Sequence, residues 1–141
     1  MKYYLVENDL PKFEIDITKI NFAGAAKAVS SVDFNIYRAD SWIDNTISKK
    51  HFIASVYYKW DMCTHWNFYG MDYDVENKEE DINPAYYHIC GSFSITDWMR
   101  MFAFVRKVMY EVLGDSTNDY SEVDKILDTQ LLVGHKIVKE E

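Results

Sequence analysis

The chain has 141 residues and a net charge of −8, from 23 acidic and 15 basic residues. Hydrophobic residues make up 48 % and aromatic residues 16 %, which is typical of a folded protein and excludes a disordered or fibrous chain. The acidic balance argues against nucleic-acid binders and peripheral membrane proteins, because both need clustered lysines and arginines.

Strand patterns dominate the first two thirds of the chain. Phe13–Ile17 alternates apolar and polar residues, and His51–Trp60 is rich in β-branched and aromatic residues, which favours a strand. The Ala-rich residues 23–29 are expected to form a short helix instead. The five predicted strands, joined most simply as an antiparallel meander, are Phe13–Ile17, Val32–Tyr37, His51–Trp60, His65–Tyr73 and Tyr86–Phe93.

Two helices are predicted after the strands. Thr96 is a good N-cap for the first, and Gly114 is a good stop. Ser121 opens the second, which Gly134 ends. The apolar residues that follow one another at helical spacing in the first helix are Trp98, Phe102, Val105, Met109, Val112 and Leu113. The predicted fold is therefore α+β: an antiparallel sheet of about five strands with two C-terminal helices packed on one face.

The chain is predicted to form a single domain over residues 1–141. It contains no internal repeat, low-complexity tract or linker, and no apolar run of about 18 residues that could span a bilayer. The N-terminal residues lack the apolar core of a signal peptide, and two cysteines are too few for a secreted disulfide scaffold. We therefore expect a cytoplasmic protein.

The whole excess of negative charge lies in the second half of the chain. Residues 1–71 contain 8 acids and 8 bases, whereas residues 72–141 contain 15 acids and 7 bases. Such an asymmetry steers a basic partner toward one side of the protein, although acidic loops also serve solubility alone. The densest segment, predicted to be a loop between two strands, contains Asp72, Asp74, Glu76, Glu79, Glu80 and Asp81.

Aromatic residues crowd the strands beside this acidic segment. Tyr69 and Tyr73 are expected to lie on one face of their strand, next to the carboxylates. Aromatic residues with charge at the rim are typical of a protein-binding surface. If a helix covers this face, the same residues are part of the core instead.

A second cluster has the residue types of a metal site. Residues opposed in an antiparallel pair have numbers with a constant sum, and Cys63 with Cys90 and His65 with His88 share the sum 153. One register would thus bring together two thiolates and two imidazoles, a set that binds Zn²⁺ tetrahedrally. The commoner alternative is that these are buried thiols and imidazoles without a metal, and no cofactor is expected.

Other chemical motifs are missing or incomplete. No nucleophile elbow or glycine-rich phosphate loop is present in the sequence. The run from Asp72 to Glu76 has the spacing of a calcium loop, but Asn77 and Asn83 occupy the positions that need Gly and Glu. Binding to another protein is therefore favoured over catalysis.

In size, acidity and aromatic content the chain resembles small phage-encoded counter-defence proteins such as anti-CRISPRs, and also immunity proteins against nuclease toxins. The resemblance is one of overall composition and transfers no site residues. It implies a non-enzymatic inhibitor, active in a bacterial host cytoplasm, that binds a basic nuclease or nucleoprotein complex and blocks its nucleic-acid cleft. The predicted contact residues are Asp72, Asp74, Glu76, Glu79, Glu80, Asp81, Tyr69 and Tyr73.

Two other classes of function remain open. The first is an enzyme or ligand-sequestering protein, using either the Cys63/His65/His88/Cys90 cluster or a pocket between the sheet and the first helix. The second is an assembly component whose aromatic face makes contacts between copies, a homodimer being the smallest case. Neither alternative involves direct contact with nucleic acid or membrane.

Overall fold

The computed structural model describes residues 1–24, 28–59, 65–74, 79–81, 94–113 and 130–140, with the backbone alone for 65–74 and 79–81. The described elements are β1 (Lys2–Glu7), β2 (Leu10–Ala23), β3 (Ala28–Ile43), β4 (Thr46–Lys59), β5 (His65–Asp74), β6 (Glu79–Asp81), α1 (Ile95–Leu113) and β7 (His135–Glu140).

The strands form one antiparallel sheet in the order β6-β5-β4-β3-β2-β1-β7. Strands β1 to β6 follow one another as a meander, and β7 returns after α1 to pair with β1. The predicted α+β class and antiparallel sheet are confirmed. Of the five predicted strands, three lie within β2, β3 and β5, one lies in β4 except for its last residue, which is not described, and Tyr86–Phe93 lies outside the described residues.

Two tight hairpins set the register of the first four strands. Asn8 and Asp9 join β1 to β2, and Asp44 and Asn45 join β3 to β4, all four with φ between 51° and 63°. Two consecutive residues of positive φ make the hairpin turn whose twist matches that of the strands, and Asn and Asp tolerate this conformation better than most residues.

The prediction of a helix over residues 23–29 is wrong. Ala23 ends β2, Gly24 has a φ of 76°, and Ala28 begins β3 directly opposite Ala23. A seven-residue helix is marginal by itself, whereas extending two long strands adds hydrogen bonds to an existing ladder. Tertiary pairing therefore overrides the helix propensity of alanine here.

The hydrophobic core lies between α1 and one face of the sheet, which we call the helix face. Its most buried strand residues include Leu5, Ile15, Phe34 and Ile36; the last three alternate with polar residues along their strands. Helix α1 contributes residues at the spacing of one helical face: Met101, Phe104, Val105, Val108 and Met109. The predicted helix is confirmed, including the burial of Val105 and Met109.

Two details of α1 differ from the sequence prediction. Ser94, not Thr96, is the N-cap, because its Oγ accepts the backbone N–H of Asp97 at 3.1 Å. Phe102, expected in the core, is 40 % exposed and stacks on Trp98 with ring centroids 6.2 Å apart. Phe102 lies one residue from the buried Met101, at the boundary of the apolar stripe.

A second C-terminal helix is not shown in the described part of the chain, which includes only the last residues of the predicted segment. Residues 130 and 131 are helical, and a turn through Gly134, with a φ of 76°, leads into β7. The predicted start at Ser121 lies outside the described residues, as does Gly114. In the described part of the chain, no helix combines the length and apolar character needed to cross a membrane.

Two phenylalanines of α1 provide a matched test of this core. Phe104 is fully buried and Phe102 is 40 % exposed. We expect Phe104→Ala to lower the free energy of unfolding by about 3–5 kcal/mol, and Phe102→Ala by about 1 kcal/mol or less. Urea unfolding followed by circular dichroism measures both values. Equal losses would contradict the position assigned to α1 on the sheet.

Candidate functional site

The acidic segment forms a strand hairpin rather than the expected loop. Strands β5 and β6, which we call the acidic hairpin, pair Asp72 with Asp81, and Asp74 with Glu79, while Glu80 lies opposite Tyr73. Glu76 lies between the two strands, outside the described residues. The low strand propensity of Asp and Glu predicted a loop, but pairing to the preceding strand overrides that local preference.

Negative charge increases from the inner side of the acidic hairpin toward its outer strand. On its inner side, β4 places Lys49 opposite Asp74 and His51 opposite Asp72. On its outer side, β6 places carboxylates opposite the same two aspartates. Like charges that face each other across a strand pair destabilise the pairing, so the hairpin gains stability from any cationic group bound to it.

The two predicted tyrosines both lie on β5. Tyr73 lies between Lys50 of β4 and Glu80 of β6 in the register. Tyr69 lies at the register shift between β4 and β5, where Phe68 pairs with Ala54 and Met71 with Phe52. Both tyrosines thus lie in the acidic hairpin, Tyr73 opposite Glu80 and Tyr69 at an irregular position of β5.

The predicted Cys/His cluster falls largely outside the described residues. Of its members, only His65 is described, on β5 opposite Tyr57. The three described pairs of β5 and β6 have residue numbers that add to 153, the sum that the prediction assumed for Cys63 with Cys90 and His65 with His88. Within the described part of the chain, no three His, Cys, Asp or Glu residues are grouped to hold a metal.

A buried ion pair lies on the other face of the sheet, which we call the polar face. Lys50 Nζ on β4 donates a hydrogen bond of 2.7 Å to Glu14 Oε2 on β2, and the two residues are 5 % and 3 % exposed. The ammonium also lies 4.0 Å from the ring centroid of Tyr37, on the intervening strand. The charge of each partner is therefore neutralised inside the protein, as burial requires.

Tyr4 lies next to this ion pair, on β1 opposite Glu14. Burial raises the pKa of the Tyr4 hydroxyl, the negative charges of Glu14, Glu140 and Asp16 raise it further, and so does a hydrogen bond to Glu14. The hydroxyl therefore stays protonated well above its ordinary pKa of about 10 and donates to the Glu14 carboxylate.

Tyr4, Glu14 and Lys50 line a cavity of about 520 Å³, which we call the polar groove. Strands β1, β2 and β7 supply one side of it, and the β3–β4 turn supplies the other through Asn45, Thr46 and Ile47. The register between β3 and β4 shifts three times, and such bulges bend and twist a strand pair. This bending accounts for the reach of the β3–β4 turn over β2.

A smaller cavity of about 240 Å³ lies on the helix face, between the sheet and the start of α1. Its ionisable lining residues are Glu7, Lys12, Arg38, Asp97, Arg100 and His135. Most of these groups are already engaged: Arg100 Nε donates to the Leu131 carbonyl at 3.0 Å, and His135 Nε2 lies 2.9 Å from Glu7 Oε2. They tie the C-terminal segment to α1 and β1.

The polar groove was not predicted from the sequence. Glu14 alternates with Phe13 and Ile15, a pattern that predicts a solvent-exposed carboxylate, and 36 positions separate it from Lys50. A strand pattern shows which residues share a face but not which faces become covered. No local signal in the sequence marks this pair.

Comparison with known proteins identifies no relative: no protein-family model, curated protein or solved structure matches the chain. The functional interpretation therefore depends on the chain's own geometry.

The buried ion pair can be tested by a double-mutant cycle. Lys50→Met leaves a buried carboxylate without its cation, and Glu14→Gln leaves a buried ammonium without its anion. We expect each change to lower the free energy of unfolding by about 3 kcal/mol or more, and the double variant to lose less than the sum, because it removes both charges.

Urea unfolding of the four proteins measures this coupling. Ser55→Ala is the control on the same face, since it breaks a bond between uncharged groups, Ser55 Oγ to Asn35 Oδ1 at 2.7 Å. Its loss should be about 1 kcal/mol. Additive losses for the two charged residues would show that they do not interact.

Proposed function

We propose that this protein is a non-enzymatic inhibitor of the anti-CRISPR type, which binds the basic nucleic-acid cleft of a bacterial defence nuclease through the acidic hairpin. The observation that carries the proposal is the pairing of β5 with β6. It gathers five of the six predicted acidic residues into two adjacent strands, with three consecutive carboxylates on the last strand of the described sheet.

The spacing of these charges supports mimicry of nucleic acid. Residues of an antiparallel strand follow one another at about 3.4 Å, and one strand of DNA carries a charge about every 3.4 Å along its axis. Successive residues lie on opposite faces of the strand, so Glu79 and Asp81 share one face about 7 Å apart and coincide with every second charge of such a DNA strand over a short length. A cleft that neutralises phosphates can neutralise these carboxylates and exclude its substrate.

Charged edge strands also have another use, which the test must separate from binding. Acidic residues on an outer strand prevent pairing with strands of other copies. If that were their whole purpose, neutralising them would cause self-association and would leave partner affinity unchanged. If the acidic hairpin is instead the contact with the partner, neutralising these residues lowers the affinity for that partner.

The first test is capture of a partner from a bacterial host lysate, at low and high salt, with and without added DNA or RNA. We expect a basic protein that is retained at low salt and released by high salt and by nucleic acid, because both compete for the same cations. A protein that nucleic acid fails to displace would contradict binding in the cleft.

The second test compares two variants with equal changes in charge. Glu80→Gln/Asp81→Asn alters the acidic hairpin, and Asp44→Asn/Glu111→Gln alters exposed acids elsewhere. We expect the first to weaken binding of the captured protein by about tenfold or more and the second by much less, with both folded normally. The full variant should abolish binding; it replaces Asp72, Asp74, Glu76, Glu79, Glu80 and Asp81 with amides.

Calorimetry with the captured protein, together with light scattering, reads out affinity and self-association separately. Equal affinity of the two double variants would refute the acidic hairpin as the contact. Self-association without a change in affinity would assign these acids to edge protection instead.

The register of β5 and β6 supports a second candidate, a zinc site at Cys63, His65, His88 and Cys90. The residue numbers of each described pair of β5 and β6 add to 153, the sum that pairs Cys63 with Cys90 and His65 with His88. Two thiolates with two imidazoles are a preferred zinc ligand set. This candidate makes the protein a metalloprotein whose activity depends on the cluster.

Metal analysis tests this candidate. Protein purified without metal-affinity resin should contain about one zinc ion per chain, and Cys63→Ser/Cys90→Ser should remove it. His51→Gln, on the neighbouring strand beside Asp40, is the control that keeps the metal. Metal-free wild-type protein that takes up no zinc on titration would rule the site out.

A further inference from the structure

Strand β7 lies at one edge of the sheet. It pairs with β1 on its inner side, and in the part of the chain that the structure describes no strand pairs with its outer side. Lys136, Val138 and Glu140 are exposed, and the apolar Val138 keeps 45 % of its surface open to solvent. The backbone N–H and C=O groups on the outer side of such a strand can pair with a strand of another molecule.

The exposed residues of β7 carry opposite charges at equal distances from Val138. Lys136 lies two residues before it and Glu140 two residues after it, so all three side chains point to the polar face. On the inner side of β7, Glu140 faces Lys2 of β1, whereas Lys136 faces Val6. In the register of the described strands, Lys136 therefore has no carboxylate opposite it.

Symmetry limits how two copies of β7 can pair. In a two-fold antiparallel pair that continues both sheets, opposed residues share a face, so one residue of β7 lies opposite its own copy at the centre. A centre at Lys136 or Lys139 opposes two lysines, and a centre at Ile137 leaves Lys136 opposite Val138. A centre at Val138 instead places Lys136 opposite Glu140 of the second copy, and the symmetry makes this pair twice.

We propose that β7 pairs with β7 of a second copy of this chain, in the antiparallel register centred on Val138. Two opposite-charge pairs, Lys136 with Glu140, then flank a central pair of valines, and cross-strand pairs of both kinds stabilise a sheet. Charge complementarity selects a second copy as the partner, because the same short strand supplies both members of each pair.

The other end of the described strand order lacks this complementarity. Strand β6 consists of three consecutive acidic residues, so a two-fold pair of β6 strands would oppose carboxylates to carboxylates. The dimer therefore forms at β7 and carries one acidic hairpin at each outer end of the joined strand order. The proposal does not rest on the function proposed for that hairpin.

The length of the contact sets the expected affinity. Residues 136–140 of each copy make a short contact compared with the roughly 20–30 residues per side of a standard interface. We therefore expect a dimer that forms at high protein concentration and dissociates on dilution, with a dissociation constant of about 10–1,000 µM.

Charge reversal tests the register. Lys136→Glu opposes carboxylates at both charged pairs and Glu140→Lys opposes ammonium groups, so we expect each variant alone to associate about tenfold or more weakly than the wild type. An equimolar mixture of the two variants again joins opposite charges in both pairs and should form mixed dimers about as tightly as the wild type. Sedimentation equilibrium up to about 1 mM protein measures all four samples.

Two residues of α1 provide the matched controls. Lys107 and Glu111 are exposed and lie four positions apart, as Lys136 and Glu140 do. Lys107→Glu and Glu111→Lys should leave self-association unchanged, alone and mixed. Since all four variants alter exposed side chains, each is expected to fold, which circular dichroism checks. Concentration-dependent chemical shifts of the β7 amides in the wild type give a readout that needs no variant.

Three results would overturn the proposal. A wild-type protein that stays monomeric up to about 1 mM would assign Lys136 to blocking the edge, a common use of lysine on outer strands. A mixture that associates no better than its two variants alone would exclude the register. Stronger association of Glu140→Lys, with oligomers that keep growing, would show that β7 binds the acidic β6 of the next copy in an open chain.

Discussion

The buried hydrogen bond from Lys50 to Glu14 constrains the register in the middle of the sheet. It connects β4 to β2 across β3, two strand spacings of about 4.8 Å each, and the lysine crosses over Tyr37 on the strand between them. A shift of β2 or β4 by one residue would move one charge of the pair to the helix face, into the apolar core. The ion pair therefore makes alternative registers costly, in addition to its contribution to stability.

The two faces of the sheet are held by different interactions. The helix face is fixed by tight packing of Leu5, Ile15, Phe34 and Ile36 against α1 and tolerates little variation. The polar face is held by hydrogen bonds, among them Ser55 to Asn35 and Asn21 to Asp33, so its outer residues are free to serve binding. The acidic hairpin and the polar groove lie toward opposite ends of the described strand order.

Local patterns predicted the elements that depend on local spacing. Alternation identified the central parts of β2 to β5, and the helical period identified α1 together with the burial of Val105 and Met109. Prediction failed where distant pairing decides the structure: residues 23, 28 and 29 extend strands instead of forming a helix, and β6 forms despite three acidic residues. The first and last strands were missed because each is short and is stabilised by the other.

The pairing of β1 with β7 connects folding to the groove. The turn before β7 is fixed by Gly134 and by His135, whose Nδ1 lies 3.0 Å from the Val133 carbonyl and whose Nε2 lies 2.9 Å from Glu7 Oε2. Because β7 supplies Glu140 and Val138, the polar groove is complete only when the two terminal strands have met. Closing a contact of this sequence separation is slow relative to forming the meander. The groove is thus a property of the finished fold, and no segment of the sequence taken alone could have revealed it.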